Sequence, residues 1–242
     1  MKLDLGAVVS GAWSLWRRDR AVLVPIAGIF LMLPTMAATI WMAAPAPGDP
    51  GAPADLATMV ETMQRYVSAN LPWLLLQTLL GLFGTGAILA LYLDPAHPTV
   101  AGAMGSALRR FPALLLAQIG IQFAVVLGLL AFALPGLYAI GRSFLIPAAI
   151  LAEPRRGAMD AIARGIQLTA GNGFALLGLQ AIFYFVGQLL VMLGTGFLTA
   201  GASNPVPVTI GVLMVGLANG GMALAYALLR VTAYRQATGS RG

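Results

Sequence analysis

The sequence of 242 residues contains no cysteine and one histidine, and only 9% of its residues are charged. Without cysteine it forms no disulfide framework, Cys or Cys/His zinc site or cysteine nucleophile, and a single histidine excludes chemistry that needs a histidine pair. A soluble domain is roughly half apolar and about a quarter charged. This chain is 59% hydrophobic with a mean hydropathy of +0.86. The composition therefore excludes a soluble protein and predicts a multi-pass membrane protein.

Basic residues outnumber acidic ones by 14 to 8, which gives a net charge of +6. In a soluble protein this excess would favour nucleic-acid binding, because basic side chains neutralise phosphates. Here the arginines form short patches between long uncharged runs, a pattern typical of membrane orientation signals. We therefore expect no nucleic-acid partner.

Long charge-poor runs define the membrane spans, since a helix needs about 20 apolar residues to cross a hydrocarbon core of roughly 30 Å. Two of the runs are divided by turn residues, at Leu134-Pro135-Gly136 and within 200–207. The sequence predicts a single all-α domain, a bundle of six transmembrane helices. The predicted spans are about 21–43, 70–93, 111–134, 136–152, 173–198 and 206–230.

The topology follows from the positions of arginine and lysine. If six spans alternate, almost all basic residues fall on one side of the membrane. They are Lys2, Arg17, Arg18, Arg20, Arg109, Arg110, Arg155, Arg156, Arg164, Arg230, Arg235 and Arg241. The opposite side carries Arg65 as its one basic residue, beside three acidic residues. By the positive-inside rule, both termini are expected in the cytoplasm.

Three amphipathic segments are too short to cross a membrane, and each precedes a pair of spans. They cover about 3–16, 99–110 and 156–167. We expect interfacial helices that lie flat on the cytoplasmic face. The tripeptide Gly-Ala-Met occurs at both 102–104 and 157–159, so a three-fold repeat of one interfacial helix and two spans is one interpretation. The alternative is that alanine-rich interfacial helices resemble one another. In the third segment the helical spacing predicts structural ion pairs among Arg156, Asp160 and Arg164.

The largest predicted segment outside the membrane is an outer loop at 44–69. Its first part is rich in proline, glycine and alanine, which is typical of an irregular linker. Its second part has apolar residues at helical spacing, which predicts a helix on the outer membrane surface. A lid over a cavity is the functional alternative, although no residue argues specifically for it.

Polar residues inside the predicted spans mark where function would lie, because burying them without partners costs free energy. Arg142 is the one ionisable residue deep within a predicted span. A polar cavity that binds an anionic head group through Arg142 is the functional interpretation. The structural one is that Arg142 bonds carbonyls near Pro147 while the glutamines bond between helices, with Gln122 as its first-choice partner. The candidate polar cluster comprises Arg142, Gln122, Gln118, Gln188 and Gln77.

Small residues recur at helical spacing on the third and sixth spans. They form one stripe of Gly120, Ala124 and Gly128 and another that includes Gly216 and Gly220. Such stripes let helix backbones approach closely in lipid. Because six spans offer many neighbours, we expect internal packing rather than dimerisation.

The stretch 134–178 carries a family resemblance. It contains Leu134-Pro-Gly-Leu-Tyr, then Arg142, Pro147 and Glu153, and ends in Leu168-Thr-Ala-Gly-Asn172 followed by Phe174. This spaced set resembles the membrane domain ahead of some bacterial glycerophosphodiester phosphodiesterases, and is similar to the uncharacterised YciC-like membrane proteins. The resemblance implies a bacterial inner-membrane protein without established chemistry. The catalytic barrel of the phosphodiesterases is not found in this sequence, so their activity is not carried over.

Two functions of different classes are compatible with these observations. The first is a non-enzymatic membrane protein that interacts with membrane lipids or with a protein partner in envelope lipid metabolism. The second is a small permease or transport subunit with a polar cavity around Arg142. The sequence shows no catalytic constellation and no phosphate-binding glycine loop, so we expect neither an enzyme nor a cofactor.

Overall fold

The computed structural model describes residues 2–42, 56–96, 99–200 and 204–239. Within these ranges the protein is all-α, without a strand. Its helices are α1 (Leu5–Ala27), α2 (Leu33–Trp41), α3 (Leu56–Leu93), α4 (Val100–Ala131), α5 (Ala133–Ser143), α6 (Ile146–Ala152), α7 (Ala158–Leu168), α8 (Gly173–Ala200) and α9 (Pro205–Thr238). A π-helical turn, Gly28–Met32, joins α1 to α2 without interruption.

The prediction of six transmembrane helices is confirmed, since six helical stretches in the described part of the chain are long and apolar enough to cross a membrane. They are Leu5–Trp41, Ala57–Leu93, Val100–Ala131, Ala133–Ala152, Gly173–Ala200 and Pro205–Thr238. Many large apolar side chains on them are exposed. Lipid contact accounts for this exposure, so the chain is a multi-pass membrane protein.

Aromatic residues mark the membrane level along α3. Trp73 stacks on Trp41 with ring centroids 5.3 Å apart, and tryptophan favours the membrane interface. At 1.5 Å per residue, the 19 residues from Trp73 to Tyr92 rise about 28 Å, close to the roughly 30 Å of a hydrocarbon core. The residues of α3 before Trp73 therefore extend beyond the apolar layer.

The predicted outer loop at 44–69 is only partly correct. Its residues 44–55 lie outside the described residues. From Leu56 onward the chain is helical and continues into the second span as one helix of 38 residues. The apolar spacing correctly indicated a helix, but no residue at 66–70 ends it, so it does not form a separate surface helix.

Two of the three predicted interfacial helices, 3–16 and 99–110, are wrong as separate elements. The first continues into the first span with a kink at Asp19, where φ is −114° and ψ is 18°. The second is the start of the 32-residue helix α4. Only the third segment forms its own helix, α7, because Gly171 with φ +77° ends the turn that follows it. The proposed three-fold repeat is not confirmed.

The turn between the third and fourth spans lies at Phe132, whose backbone is extended, rather than at Pro135. Proline fits the first turn of α5, where its missing N–H costs no hydrogen bond. Gly128 of α4 lies directly against Gly136 of α5, since a Cβ on Gly128 would come within 2.7 Å of the Gly136 Cα. The two helices are therefore antiparallel neighbours, as predicted.

The core is centred on α6, from Ile146 to Leu151, which is buried on all sides. The glycine stripe of α9 packs internally, as predicted, because a Cβ on Gly216 would contact Met36 and one on Gly220 would contact Met32. The close approach of α9 to the first span therefore depends on these two glycines.

Candidate functional site

The predicted polar cluster does not assemble as one site. Arg142 lies over the Tyr138 ring at 5.8 Å, and its side chain also lies against Gly173. Gln122 is exposed on α4. The remaining three glutamines lie elsewhere: Gln77 donates to Thr35 Oγ1 at 3.1 Å, Gln188 donates to Tyr184 Oη at 3.3 Å, and Gln118 lines a separate cavity.

The predicted pairing of Arg142 with Gln122 fails because of helix rotation, not depth. Both residues lie ten positions from Phe132, and hence at similar depth. However, Gln122 is six residues from Gly128, the contact point of α4 with α5, and six residues rotate a side chain by about 240° around a helix. The same rotation from Gly136 turns Arg142 toward α8. The described residues provide no hydrogen bond between them.

A polar cavity lies instead beside Arg230 of α9, which we call the Arg230 cavity. It has a volume of about 160 Å³, is about half open to the surroundings, and is lined by residues of α3, α4, α6 and α9. Its polar lining consists of Thr78, Thr85, Gln118 and Arg230. Of the five residues in the predicted cluster, only Gln118 belongs to it.

Arg230 is held by the break between α5 and α6. Its Nε donates a hydrogen bond to the Phe144 carbonyl at 3.1 Å, and its guanidinium lies 5.3 Å from the centre of the Phe144 ring. This carbonyl is free because α6 begins after Leu145, whose own carbonyl accepts the first bond of that helix. The carbonyl acceptor that was expected for Arg142 near Pro147 thus serves an arginine from another helix.

The charge pattern predicts that Arg230 belongs to the basic flank of the sixth span, whereas the structure places it inside the bundle. A signal was present in the sequence. Apolar residues continue beyond Arg230 at Val231, Ala233 and Tyr234, and all three are buried. Continued apolar spacing after a charge indicates that the helix, and the core it contacts, extend beyond that charge.

The predicted ion pairs among Arg156, Asp160 and Arg164 are replaced by a cluster on Glu153. Arg156 forms an ion pair with Glu153, Arg164 Nε lies 3.4 Å from it, and the Tyr234 hydroxyl donates to it at 2.8 Å. Because α7 begins at Ala158, Arg156 lies outside the helix and lacks the i, i+4 geometry. Asp160 lies in the first turn of α7, where a negative charge favours the helix dipole.

The environment of Glu153 favours its ionised form. Partial burial alone would raise the pKa of its carboxyl group. The hydrogen bonds from Tyr234 and Arg156 together with the nearby arginine charges outweigh burial, so the pKa lies below its ordinary value of 4.5. Glu153 is therefore charged at neutral pH and joins α7 to α9.

Further polar contacts gather the arginine-rich segments at one end of the bundle, which we call the basic end. The Tyr92 hydroxyl donates to Asp19 at 2.8 Å, and Arg235 donates to the Tyr92 carbonyl at 2.9 Å. Arg110 donates to the Arg156 carbonyl at 3.3 Å. Segments that the charge pattern assigned to one side of the membrane are thus in direct contact.

An apolar groove runs along α1 near the basic end. One half-open pocket of about 280 Å³ lies between α1, α8 and α9, and a shallower, more open one of about 790 Å³ lies between α1 and the start of α8. Both are lined by Val9 and Trp13, and their surfaces are almost entirely apolar. We call the two together the α1–α8 groove.

Two kinds of site can therefore be compared in this structure. The Arg230 cavity presents a charge and hydrogen-bonding groups, whereas the α1–α8 groove presents apolar surface with an exposed tryptophan. Among the described residues, no group of three or more His, Asp or Glu side chains is placed to hold a metal ion. Comparison of the chain with protein-family models, curated proteins and solved structures finds no match.

Proposed function

We propose that this chain is a non-enzymatic protein of the bacterial inner membrane that binds a glycerophospholipid in the α1–α8 groove. The observation that supports this proposal is the groove itself, an apolar cleft at the level where the basic residues of α1 lie. The resemblance of 134–178 to the membrane domain ahead of some glycerophosphodiester phosphodiesterases supports a ligand of the same glycerophosphate class. A role in envelope lipid metabolism follows from that resemblance alone.

The apolar part of the lipid would occupy the groove. Its walls include Trp13, Trp16 and Phe183, and neither Gly178 nor Gly221 has an atom within 4 Å of where a Cβ would be. If the cleft were empty in a bilayer, the apolar side chains that line it would lack partners for dispersion contacts. An acyl chain is the apolar group that the surrounding membrane supplies.

The head group would be anionic. Arg17 lies one helical turn after Trp13, so both exposed side chains belong to the same face of α1. A basic residue near an anionic membrane surface contributes roughly 1 kcal/mol to lipid attraction. The groove and Arg17 together therefore favour an anionic phospholipid over a neutral one.

Native mass spectrometry of delipidated protein would test this proposal with phosphatidylglycerol and phosphatidylcholine as probes. We expect the wild type to retain one phosphatidylglycerol in preference to phosphatidylcholine. Leucine at Gly178 and Gly221 fills the groove and should remove the retained lipid. Arg17→Gln should leave lipid retention intact but abolish the preference for the anionic head group.

Gly120→Leu is the matched control, because Gly120 lies on α4 outside the groove and also has no atom within 4 Å of a Cβ position. It should retain lipid as the wild type does. Equal retention by the groove-filled and Gly120→Leu proteins would contradict the proposal, since bound lipid would then be nonspecific.

The proposed orientation places both termini and the basic end in the cytoplasm. A reporter active only outside the cytoplasm, fused after Arg235, should be inactive, whereas the same reporter inserted near Gly51 should be active. A cytoplasmic reporter should give the opposite pattern. Activity of the first fusion outside the cytoplasm would overturn the topology.

The alternative of a small permease depended on a polar cavity around Arg142. Arg142 lines neither the Arg230 cavity nor the α1–α8 groove. Among the described residues, the Arg142 side chain packs on Tyr138 and Gly173. This packing favours a structural role for Arg142.

A further inference from the structure

The Arg230 cavity contains more hydrogen-bonding capacity than the protein uses. Arg230 employs Nε alone, and within the described residues neither of its Nη atoms has a hydrogen-bond partner. The side chains of Thr78, Thr85 and Gln118, which also line the cavity, form no hydrogen bond in the described part of the chain.

These threonines differ from others in the same bundle. The hydroxyls of Thr35, Thr39 and Thr209 each donate to a carbonyl one turn earlier in their helix, which is the usual arrangement for a threonine without another partner. Thr78 and Thr85 lie seven residues apart on α3, so they are on the same face of the helix. Thr85 is half-buried and Thr78 is exposed at the mouth of the cavity, and neither hydroxyl has a hydrogen-bond partner among the described residues.

The charge of the cavity determines what it can hold. Among the described residues that line it, Arg230 alone is ionisable. A positive charge in a low-dielectric interior is costly without a counter-charge, and no carboxylate of the lining supplies one. Its free groups are four guanidinium N–H donors, two hydroxyls and one amide, a set that suits an anion.

We propose that the Arg230 cavity binds a small monovalent inorganic anion. The Arg230 Nη atoms would provide the charge-assisted hydrogen bonds, and Thr78, Thr85 and Gln118 would complete the coordination. A volume of about 160 Å³ corresponds to about five water molecules at 30 Å³ each. This volume accepts an ion with a few waters.

Thermal unfolding of the purified protein, with chloride as the probe, tests the proposal. Chloride replaces gluconate at constant ionic strength, so that general screening does not change. A ligand that binds only the folded state raises Tm, and at a hundredfold excess over Kd we expect an increase of about 5–10 °C. An unchanged wild-type Tm would overturn the proposal and leave water as the occupant.

Substitutions in and outside the Arg230 cavity test whether the chloride-dependent rise in Tm comes from binding there. Gly81 lines the cavity, and a Cβ there would contact nothing within 4 Å, so Gly81→Val fills the space without a clash and should abolish the chloride response. Thr85→Val should weaken it, and Arg230→Met should remove it if that variant folds. Gly120→Val, outside the cavity, should respond as the wild type does. A full chloride response in Gly81→Val would overturn the assignment to this cavity.

Discussion

Gly141→Ala is expected to destabilise the protein by about 3 kcal/mol, the upper end of the usual cost of overpacking. A Cβ on Gly141 would overlap the carbonyl oxygen of Gly173, and it would lie 2.9 Å from that carbonyl carbon and 3.2 Å from Leu177 Cβ. The obstacle is backbone at the start of α8, which cannot rotate away as a side chain would. The helices α5 and α8 would therefore have to separate.

Thermal unfolding in detergent measures this effect, and for a chain of this size about 3 kcal/mol corresponds to a decrease in Tm of roughly 6–12 °C. Gly120→Ala is the control, since nothing lies within 4 Å of its Cβ position, and its Tm should hardly change. Gly173→Ala should fall between the two, because its Cβ would meet the side chains of Tyr138 and Arg142, which can move. Equal Tm values for Gly141→Ala and Gly120→Ala would show that α5 and α8 are not in close contact.

Glu153→Gln is expected to lower stability at neutral pH by about 1.5–3 kcal/mol, the range for hydrogen bonds to a charged group. The substitution removes the charge that Arg156 and Arg164 share and weakens the bond from Tyr234. The expected decrease in Tm is roughly 3–12 °C. Glu61→Gln is the control, because Glu61 and Arg65 form a surface-exposed pair, and such pairs contribute little.

The effect of Glu153→Gln should depend on pH in a defined direction. The pKa of Glu153 is below 4.5 in the folded protein, so its ionised form contributes stability that is complete above about 4.5 and is lost as the pH falls through the folded value. The difference in Tm between wild type and Glu153→Gln should therefore shrink below pH 4.5. A difference that stays constant down to pH 3 would show that Glu153 carries no stabilising charge.

Properties that depend on composition and on the distribution of charge along the chain could be read from the sequence. The number of spans follows from the length of the apolar runs. Because successive spans cross the membrane in alternating directions, the positions of the arginine-rich segments between them predict that these segments lie at one end of the bundle. The glycine stripe at Gly216 and Gly220 likewise indicated close packing, although not its partners, Met32 and Met36. These features are set within one helix or by the order of helices, so a linear pattern contains them.

Helix ends were less predictable where no residue enforces a stop. At 99–110 and 56–69 the change from amphipathic to apolar sequence suggested a boundary, yet the backbone hydrogen bonds continue through it. Two glycines with positive φ lie at helix ends instead: Gly171 in the turn after α7, and Gly239 at the end of α9. A change in polarity along the sequence decides which face of a helix contacts the core. It does not end the helix, because that requires a residue that breaks the helical backbone geometry.

The polar site itself was decided by tertiary structure. Arg142 and Gln122 have matching depths, but rotation about their helices turns them away from each other, and the linear sequence does not fix how helices rotate against one another. Arg230 reaches the Phe144 carbonyl across 86 positions of sequence, because the break between α5 and α6 leaves that acceptor open. The sequence by itself determined a six-helix membrane protein with a basic end. Which arginine lies inside the bundle was decided by the packing of α9 against α6, since burial depends on neighbours that are distant in the chain.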